Sequence, residues 1–136
     1  MLRLPALLRA NLAGFSCARY PHEACGLLLG RRHGETSEAV LALEARNLDT
    51  TRAHERFELD PADHLAGEER ARTLGLEVIG IWHSHPDRPA QPSALDRAQA
   101  WAAWSYVIVA VVAGEVVELR AWRLAGEHFV EEQVAP

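Results

Sequence analysis

The chain has 136 residues, enough for one domain and too few for two, and we predict a single domain over residues 1–136. Its 49% hydrophobic and 24% charged residues are typical of a globular protein and exclude a disordered one. The net charge of -5 argues against non-specific nucleic-acid binding, and no stretch has the roughly 18 apolar residues of a membrane helix. We therefore expect a soluble, cytoplasmic protein without nucleic-acid or membrane partners.

The first half of the chain predicts a helix, a hairpin and a second helix. Apolar residues at helical spacing predict a helix over 4–19. Apolar runs predict strands over 24–30 and 38–46 around a turn at 31–34, then a loop over 47–56 and a short strand over 57–59. Asp60 as the N-cap and Pro61 at the first helical position predict a helix that runs to about Leu74.

The second half predicts mostly strands. Residues 76–85 are apolar enough for a strand buried on both faces, and a proline-rich loop follows over 86–92. A helix is expected over 93–104, with Trp101 and Trp104 packing it on the sheet, and strands over 105–113, 115–124 and 127–134. This order predicts a mixed α/β or α+β fold in which helices pack on a central sheet.

The stretch that indicates chemistry begins at His83. His83 and His85 are two positions apart on a predicted strand, so both side chains point to the same side and can bind one metal ion. Asp96 lies one helical turn beyond Ser93 and can add a carboxylate. Two histidines, one aspartate and water form a catalytic zinc site with an open position, although iron, manganese and cobalt remain alternatives.

Each of these residues also has a structural explanation. An HxH pair is weak evidence on its own. Ser93 and Asp96 match a capping box, in which the Ser93 hydroxyl accepts from the Asp96 backbone N–H. Glu23 can be a solvated residue between a helix and a strand.

The complete absence of lysine excludes Schiff-base chemistry and a Walker-type phosphate loop, and it leaves the chain without a side-chain amine that could accept an isopeptide bond.

Taken together, the residues form a specific pattern. His83, His85, Pro86, Ser93 and Asp96 read HxHPx6SxxD, and the stretch 21–30 reads PxExCGLLxG with Glu23 as its acidic residue. The pattern resembles that of the JAMM (MPN+, Mov34/MPN/PAD-1) metallopeptidases. Asn47, Phe57 and the pair at 60–61 resemble the next segment of that family, so that the resemblance covers roughly residues 5–125.

The resemblance implies a fold, a cofactor and roles for five residues. The fold would be JAMM/MPN-like, related to the cytidine deaminases, with a mixed and largely antiparallel sheet. One zinc ion per chain would be bound by His83, His85 and Asp96. Glu23 would act as the general base, and Ser93 would donate a hydrogen bond to the developing oxyanion.

The short chain most resembles the prokaryotic sulfur-carrier hydrolases of the family. The expected reaction is therefore zinc-dependent cleavage after the C-terminal Gly-Gly of a ubiquitin-like β-grasp or sulfur-carrier protein. One alternative is the removal of ubiquitin-like modifiers from lysine. Another is a non-catalytic MPN scaffold, against which the complete ligand set argues. A zinc deaminase is a third possibility by metal alone, and the lack of its PCxxC motif argues against it. The oligomeric state, a homodimer included, stays open.

Overall fold

The computed structural model describes residues 1–94, 96 and 100–136 and contains an eight-stranded mixed sheet. Its elements, in chain order, are β1 (Leu2–Arg3), α1 (Ala6–Arg19), β2 (Cys25–His33), β3 (Thr36–Ala45), α2 (Pro61–Thr73), β4 (Glu77–Pro86), β5 (Ser105–Val112), β6 (Glu115–Ala125), β7 (His128–Glu132) and β8 (Val134–Ala135). Across the sheet the strands follow the order β7-β6-β5-β4-β2-β3-β1-β8. The predicted α+β class is confirmed.

Most neighbouring strands are antiparallel, and the central β4–β5 pair is parallel. The short strand β1 also pairs in parallel with both β3 and β8. Because β4 and β5 run in the same direction, the chain must return from the end of β4 at Pro86 to the start of β5 at Ser105. This connection carries the second half of the predicted motif back past the end of β4.

The two helices cover opposite faces of the sheet. Leu8 and Leu12 of α1 belong to the same core cluster as Trp82 of β4, which is fully buried as predicted. Ala71 of α2 packs in a second cluster, which also contains Ile81 of β4. Successive residues of β4 thus face different helices, as the two-residue period of a strand requires. Among the helices in the described part of the chain, none is long and apolar enough to cross a membrane.

The predicted elements of the first half are confirmed with shifted ends. Helix α1 begins at Ala6 rather than residue 4, because Leu2–Arg3 pairs as a strand and Pro5 forms the N-cap. Strand β2 continues through His33, so the turn lies at residues 34–35. Helix α2 matches the prediction, and the Asp60 side chain accepts from the Ala62 backbone N–H at 2.9 Å.

Three predicted elements differ from the structure. The strand over 57–59 is reduced to one bridge between Asn47 and Leu59, and the strand over 127–134 is split into β7 and β8. The helix over 93–104 lies partly outside the described residues. Positions 94 and 96 are helical, whereas none of residues 100–104 is helical and 102–103 form a turn. The helix prediction is wrong there because the backbone N–H of Trp101 donates to the Tyr106 hydroxyl of β5, and Trp101 is 62% exposed rather than packed on the sheet.

Gly26 allows β2 to pack tightly against β3 and against β4, the strand that carries His83 and His85. A Cβ atom at this position would lie 1.8 Å from the Leu43 carbonyl oxygen and 2.5 Å from Trp82 Nε1. These two atoms are themselves joined, because the indole of Trp82 donates to the Leu43 carbonyl at 3.0 Å. Only glycine fits without displacing backbone or breaking that hydrogen bond.

We predict that Gly26→Ala lowers the free energy of unfolding by about 1–3 kcal/mol or more, through overpacking. Denaturant titration followed by circular dichroism measures the change. Gly14→Ala is the matched control, since Gly14 lies in α1 with no neighbouring atom within 4 Å of the added Cβ. This control is expected to raise stability by about 0.5–1 kcal/mol. Equal effects of the two substitutions would contradict the explanation.

Candidate metal centre and active site

His83 and His85 lie near the end of β4, where the strand approaches the connection to β5. Both residues are almost completely buried, and their Nε2 atoms are 3.1 Å apart. The two-residue spacing therefore brings the rings together as predicted. Phe57 stacks on the outer side of the His83 ring, with 4.5 Å between the ring centroids.

Asp96 completes a triangle of atoms with the two histidines. Its Oδ2 lies 3.3 Å from the Nε2 atom of each ring. The carboxylate is held by Ser93, whose backbone N–H donates to Oδ2 at 2.9 Å, while the Ser93 hydroxyl accepts from the Asp96 backbone N–H at 3.1 Å. The predicted capping contact is thus present, and the returned hydrogen bond fixes the carboxylate that faces the histidines.

The triangle has the donor set and the dimensions of a metal site. The carbonyl of Pro89 can only accept, so the 2.8 Å contact with His85 Nδ1 places the proton on that atom and leaves Nε2 of the neutral ring as an acceptor. A tetrahedral ion with bonds of about 2.0–2.1 Å separates its ligand atoms by roughly 3.3 Å. The observed separations of 3.1 and 3.3 Å therefore fit a zinc-sized cation.

Burial and neighbouring charges prepare these groups for a cation. Burial lowers the pKa of His83, which favours the neutral ring that a metal requires. Burial alone would raise the pKa of Asp96. The contacts of Asp96 with His83 and with the backbone N–H of Ser93 outweigh the effect of burial and hold that pKa well below its usual range. Asp96 therefore stays a carboxylate.

Glu23 lies beside the triangle, just before β2. One of its carboxylate oxygens and ring nitrogens of His83 and His85 all lie within 4.8 Å of one another. The backbone around Glu23 is fixed from two directions. Asn47 donates from Nδ2 to the Glu23 carbonyl at 3.2 Å, and the next residue, Ala24, donates its N–H to the Ser84 hydroxyl at 2.8 Å.

The Glu23 carboxylate is buried and has one cationic partner. Its Oε2 accepts from the guanidinium of Arg88, whereas Oε1 has no hydrogen-bond partner among the described residues. Burial raises the pKa of Glu23 to about 8, with a smaller contribution from the carboxylate of Asp96, and the charge of Arg88 opposes this rise. A cation at the triangle would also favour the ionised carboxylate.

A cavity of about 170 Å³ lies next to the triangle. Phe57 and Tyr106 contribute aromatic walls, and His83 and Asp96 line it as well. Two of the three residues of the triangle are therefore reachable from this cavity.

The structure brings all five predicted site residues together, and it adds contacts that sequence reasoning missed. The sequence pattern puts Arg88 in a proline-rich loop and Ser84 between two histidines, and it assigns no role to either. Ser84 carried a weak signal, because residue 84 of a strand points away from the side that His83 and His85 share. Arg88 carried none, since a single arginine in a loop is ordinary.

The family comparison agrees with this geometry. The family described as prokaryotic homologs of the JAB domain matches residues 5–125. The chain belongs to this family. The predicted JAMM resemblance is confirmed, and the chain is a hydrolase of the JAMM type.

Relatives of known name and structure match most of this JAB-domain chain. The desampylase of Haloferax volcanii is 31% identical over 118 residues, which is 85% of this chain and 78% of that protein. The desampylase of Pyrococcus furiosus is 30% identical over 111 residues, 81% of this chain and 72% of that protein. Tail tip assembly protein K of Escherichia phage N15 is 37% identical, but the match spans only 62% of this chain and 30% of that protein.

Two solution structures resemble the whole domain. A protein from Desulfitobacterium hafniense superposes with a TM-score of 0.87 at 30% identity, covering 98% of this chain and 91% of that one. A protein from Salinibacter ruber gives a TM-score of 0.77 at 34% identity, covering 99% and 90%.

We predict that the protein binds about one divalent cation per chain, tested with Zn²⁺ as the probe. Binding to the folded state should raise the melting temperature, and the rise should grow with free Zn²⁺. His83→Ala and His85→Ala should each lose most of the bound metal and the stabilisation, whereas His33→Ala, at an exposed position on β2, should keep both. Metal analysis after dialysis and thermal unfolding measure the two effects. Full metal retention in the His83→Ala/His85→Ala double variant would show that the ion binds elsewhere.

Proposed function

We propose that this chain is a zinc-dependent hydrolase that cleaves the peptide or isopeptide bond after the C-terminal Gly-Gly of a ubiquitin-like or sulfur-carrier protein. The observation that supports this most directly is the buried triangle of His83, His85 and Asp96 with the Glu23 carboxylate beside it. Two nitrogens and one oxygen leave one position of a tetrahedral ion for water or substrate, which is the arrangement of catalytic rather than structural zinc.

Zinc bound at the triangle would supply Lewis acidity, which polarises a carbonyl and makes a bound water easier to deprotonate. Glu23 is the group within reach that can remove that proton. Its partnerless Oε1 is buried beside the ligands and has a free lone pair. In our proposal Glu23 accepts the proton of the attacking water and then passes it to the leaving amine as the bond breaks.

In our proposal Ser93 stabilises the charge that develops on the scissile carbonyl oxygen. In the capping contact its hydroxyl only accepts, from the Asp96 backbone N–H. The hydroxyl proton therefore remains available, because a serine can donate one hydrogen bond while it accepts others. Capping and oxyanion stabilisation are compatible at this residue, and we assign both to Ser93.

The substrate class rests on the relatives and on the shape of the site. The two desampylases that match most of this chain favour a substrate of the ubiquitin-like kind. The cavity beside His83 is about 170 Å³, which excludes a folded protein and suits an extended tail. Glycine residues at the end of that tail would let its backbone approach the metal without a clash.

The two desampylases support the alternative reaction, removal of a modifier from lysine, as well as they support sulfur-carrier processing. The two reactions differ only in the leaving amine, an α-amine in one and a lysine side chain in the other. The predicted zinc, the β-grasp substrate, the cytoplasmic location and the homodimer stay predictions.

Glu23→Gln should lower kcat by about a hundredfold or more and leave the zinc content unchanged, because the change keeps the shape of the side chain and removes the base. Glu35→Gln is the matched control at an exposed turn and should behave as wild type. Steady-state kinetics on a ubiquitin-like adduct, with metal analysis of each protein, make the test. A Glu23→Gln enzyme with near wild-type turnover would reject the assigned base.

The second prediction concerns the substrate tail. A carrier–Gly-Gly–cysteine peptide and a carrier–Gly-Gly–lysine isopeptide should be hydrolysed, whereas the same adducts with valine in place of the last glycine should resist. Mass spectrometry of the products follows each reaction, and the ratio of the two rates identifies the preferred leaving amine. Free Gly-Gly-X tripeptides should be poor substrates, because they lack the contacts of the folded body. Equal rates on tripeptide and adduct would instead indicate a general peptide hydrolase.

A further inference from the structure

Arg88 lies where it can control the orientation of Glu23. Its guanidinium donates to Oε2 of the Glu23 carboxylate and, at 3.0 Å, to the backbone carbonyl of Glu55. The side chain of Arg88 is about 30% exposed, whereas that of Glu23 is 1% exposed. A single cation thus reaches from the surface into the site and joins the loop after β4 to the loop before α2.

The backbone around Arg88 is fixed on both sides. Asp87 adopts a positive φ of 55° and is held by the Tyr20 hydroxyl at 2.7 and 2.9 Å and by the Ala113 N–H at 3.1 Å. Pro89 is held through its carbonyl, which accepts from His85 Nδ1 at 2.8 Å. With both neighbours anchored, the Arg88 side chain starts from a defined position.

The contact with Arg88 makes the two carboxylate oxygens of Glu23 different. Oε2 is held by Arg88, and Oε1 is buried with no partner among the described residues. A carboxylate held at one oxygen by a planar guanidinium cannot rotate freely, so the other oxygen keeps one direction. A base in a fixed direction requires less reorganisation when the proton is transferred.

We propose that Arg88 is a positioning residue for this hydrolase: it holds the Glu23 carboxylate in the orientation in which Glu23 removes the proton from water. The proposal rests on the proposed function, since it assigns Glu23 as the base. Arg88 then acts through Glu23 and contacts neither the metal nor the substrate.

A double-mutant cycle tests the proposal on the zinc-loaded enzyme. Arg88→Ala should lower kcat about tenfold to a hundredfold and change KM by less than about twofold. In the Glu23→Gln background, the same substitution should lower kcat by less than about twofold further, because the residue through which it acts is already gone. Arg72→Ala, at an exposed position on α2, is the matched control and should leave both constants unchanged.

Two rescue measurements separate positioning from a general structural role. Arg88→Lys should recover part of the lost kcat, since both contacts come from the single Nη2 atom of Arg88 and an ammonium group also carries several donors on one nitrogen, but it lacks the rigid planar geometry of the guanidinium. Guanidinium ion at about ten millimolar, far below denaturing concentrations, should raise the kcat of Arg88→Ala and not that of Glu23→Gln. Zinc retention in a chelator competition, which is independent of turnover, should match wild type in every Arg88 variant.

The outcomes distinguish the two proposals. If Glu23→Gln abolishes turnover but Arg88→Ala does not lower kcat, the positioning role is wrong and the proposed function stands. A rise in KM at constant kcat would overturn the positioning role in favour of substrate binding by Arg88. Additive losses in the double variant, or loss of zinc, would overturn it in favour of a structural role. Full activity in Glu23→Gln would reject the proposed base itself.

Discussion

Two imidazole nitrogens and one carboxylate oxygen that converge in a buried place impose the main constraint on this molecule. Two imidazole nitrogens and a carboxylate oxygen lie 3.1–3.3 Å apart with little access to water. The lone pairs of His85 Nε2 and Asp96 Oδ2 repel each other at such a distance when the His85 ring is neutral, and a cation between them removes the repulsion. The fold therefore maintains an electrostatic repulsion at this site, and binding of a cation would relieve it.

The surrounding structure is arranged to maintain this convergence. The parallel β4–β5 pair requires a connection that returns from the end of β4 to the start of β5, and that connection brings Asp96 to the histidines. Each ligand is held from behind: His85 by the Pro89 carbonyl and Asp96 by the Ser93 N–H. Such contacts fix the direction in which a ligand presents its lone pair. The repulsion persists because these contacts leave the side chains few other orientations.

Glu23 shows the same principle with a different group. Its carboxylate is buried beside other acidic residues, and burial alone disfavours the charged form. One arginine offsets part of that cost from the rim of the site. The fold thus keeps an ionisable group buried and holds it with the partly exposed cation of Arg88.

Much of this could be predicted from the sequence, for local reasons. The two-residue strand period placed His83 beside His85, and the capping pattern placed Ser93 beside Asp96. The same local rules gave α2 its N-cap at Asp60. They failed at Trp101, where a hydrogen bond to Tyr106 of the next strand replaced the expected helix.

Strand and cap geometry act over a few residues, so the order of the amino acids is enough to predict which site atoms are available and which neighbours share a side. How Glu23 is held depends on contacts that form only in the folded chain. Its partner Arg88 is 65 positions away, and the contact between Ala24 and Ser84 spans 60 positions. No periodic pattern in the sequence predicts either contact, since each forms only when separate strands and loops come together in the sheet.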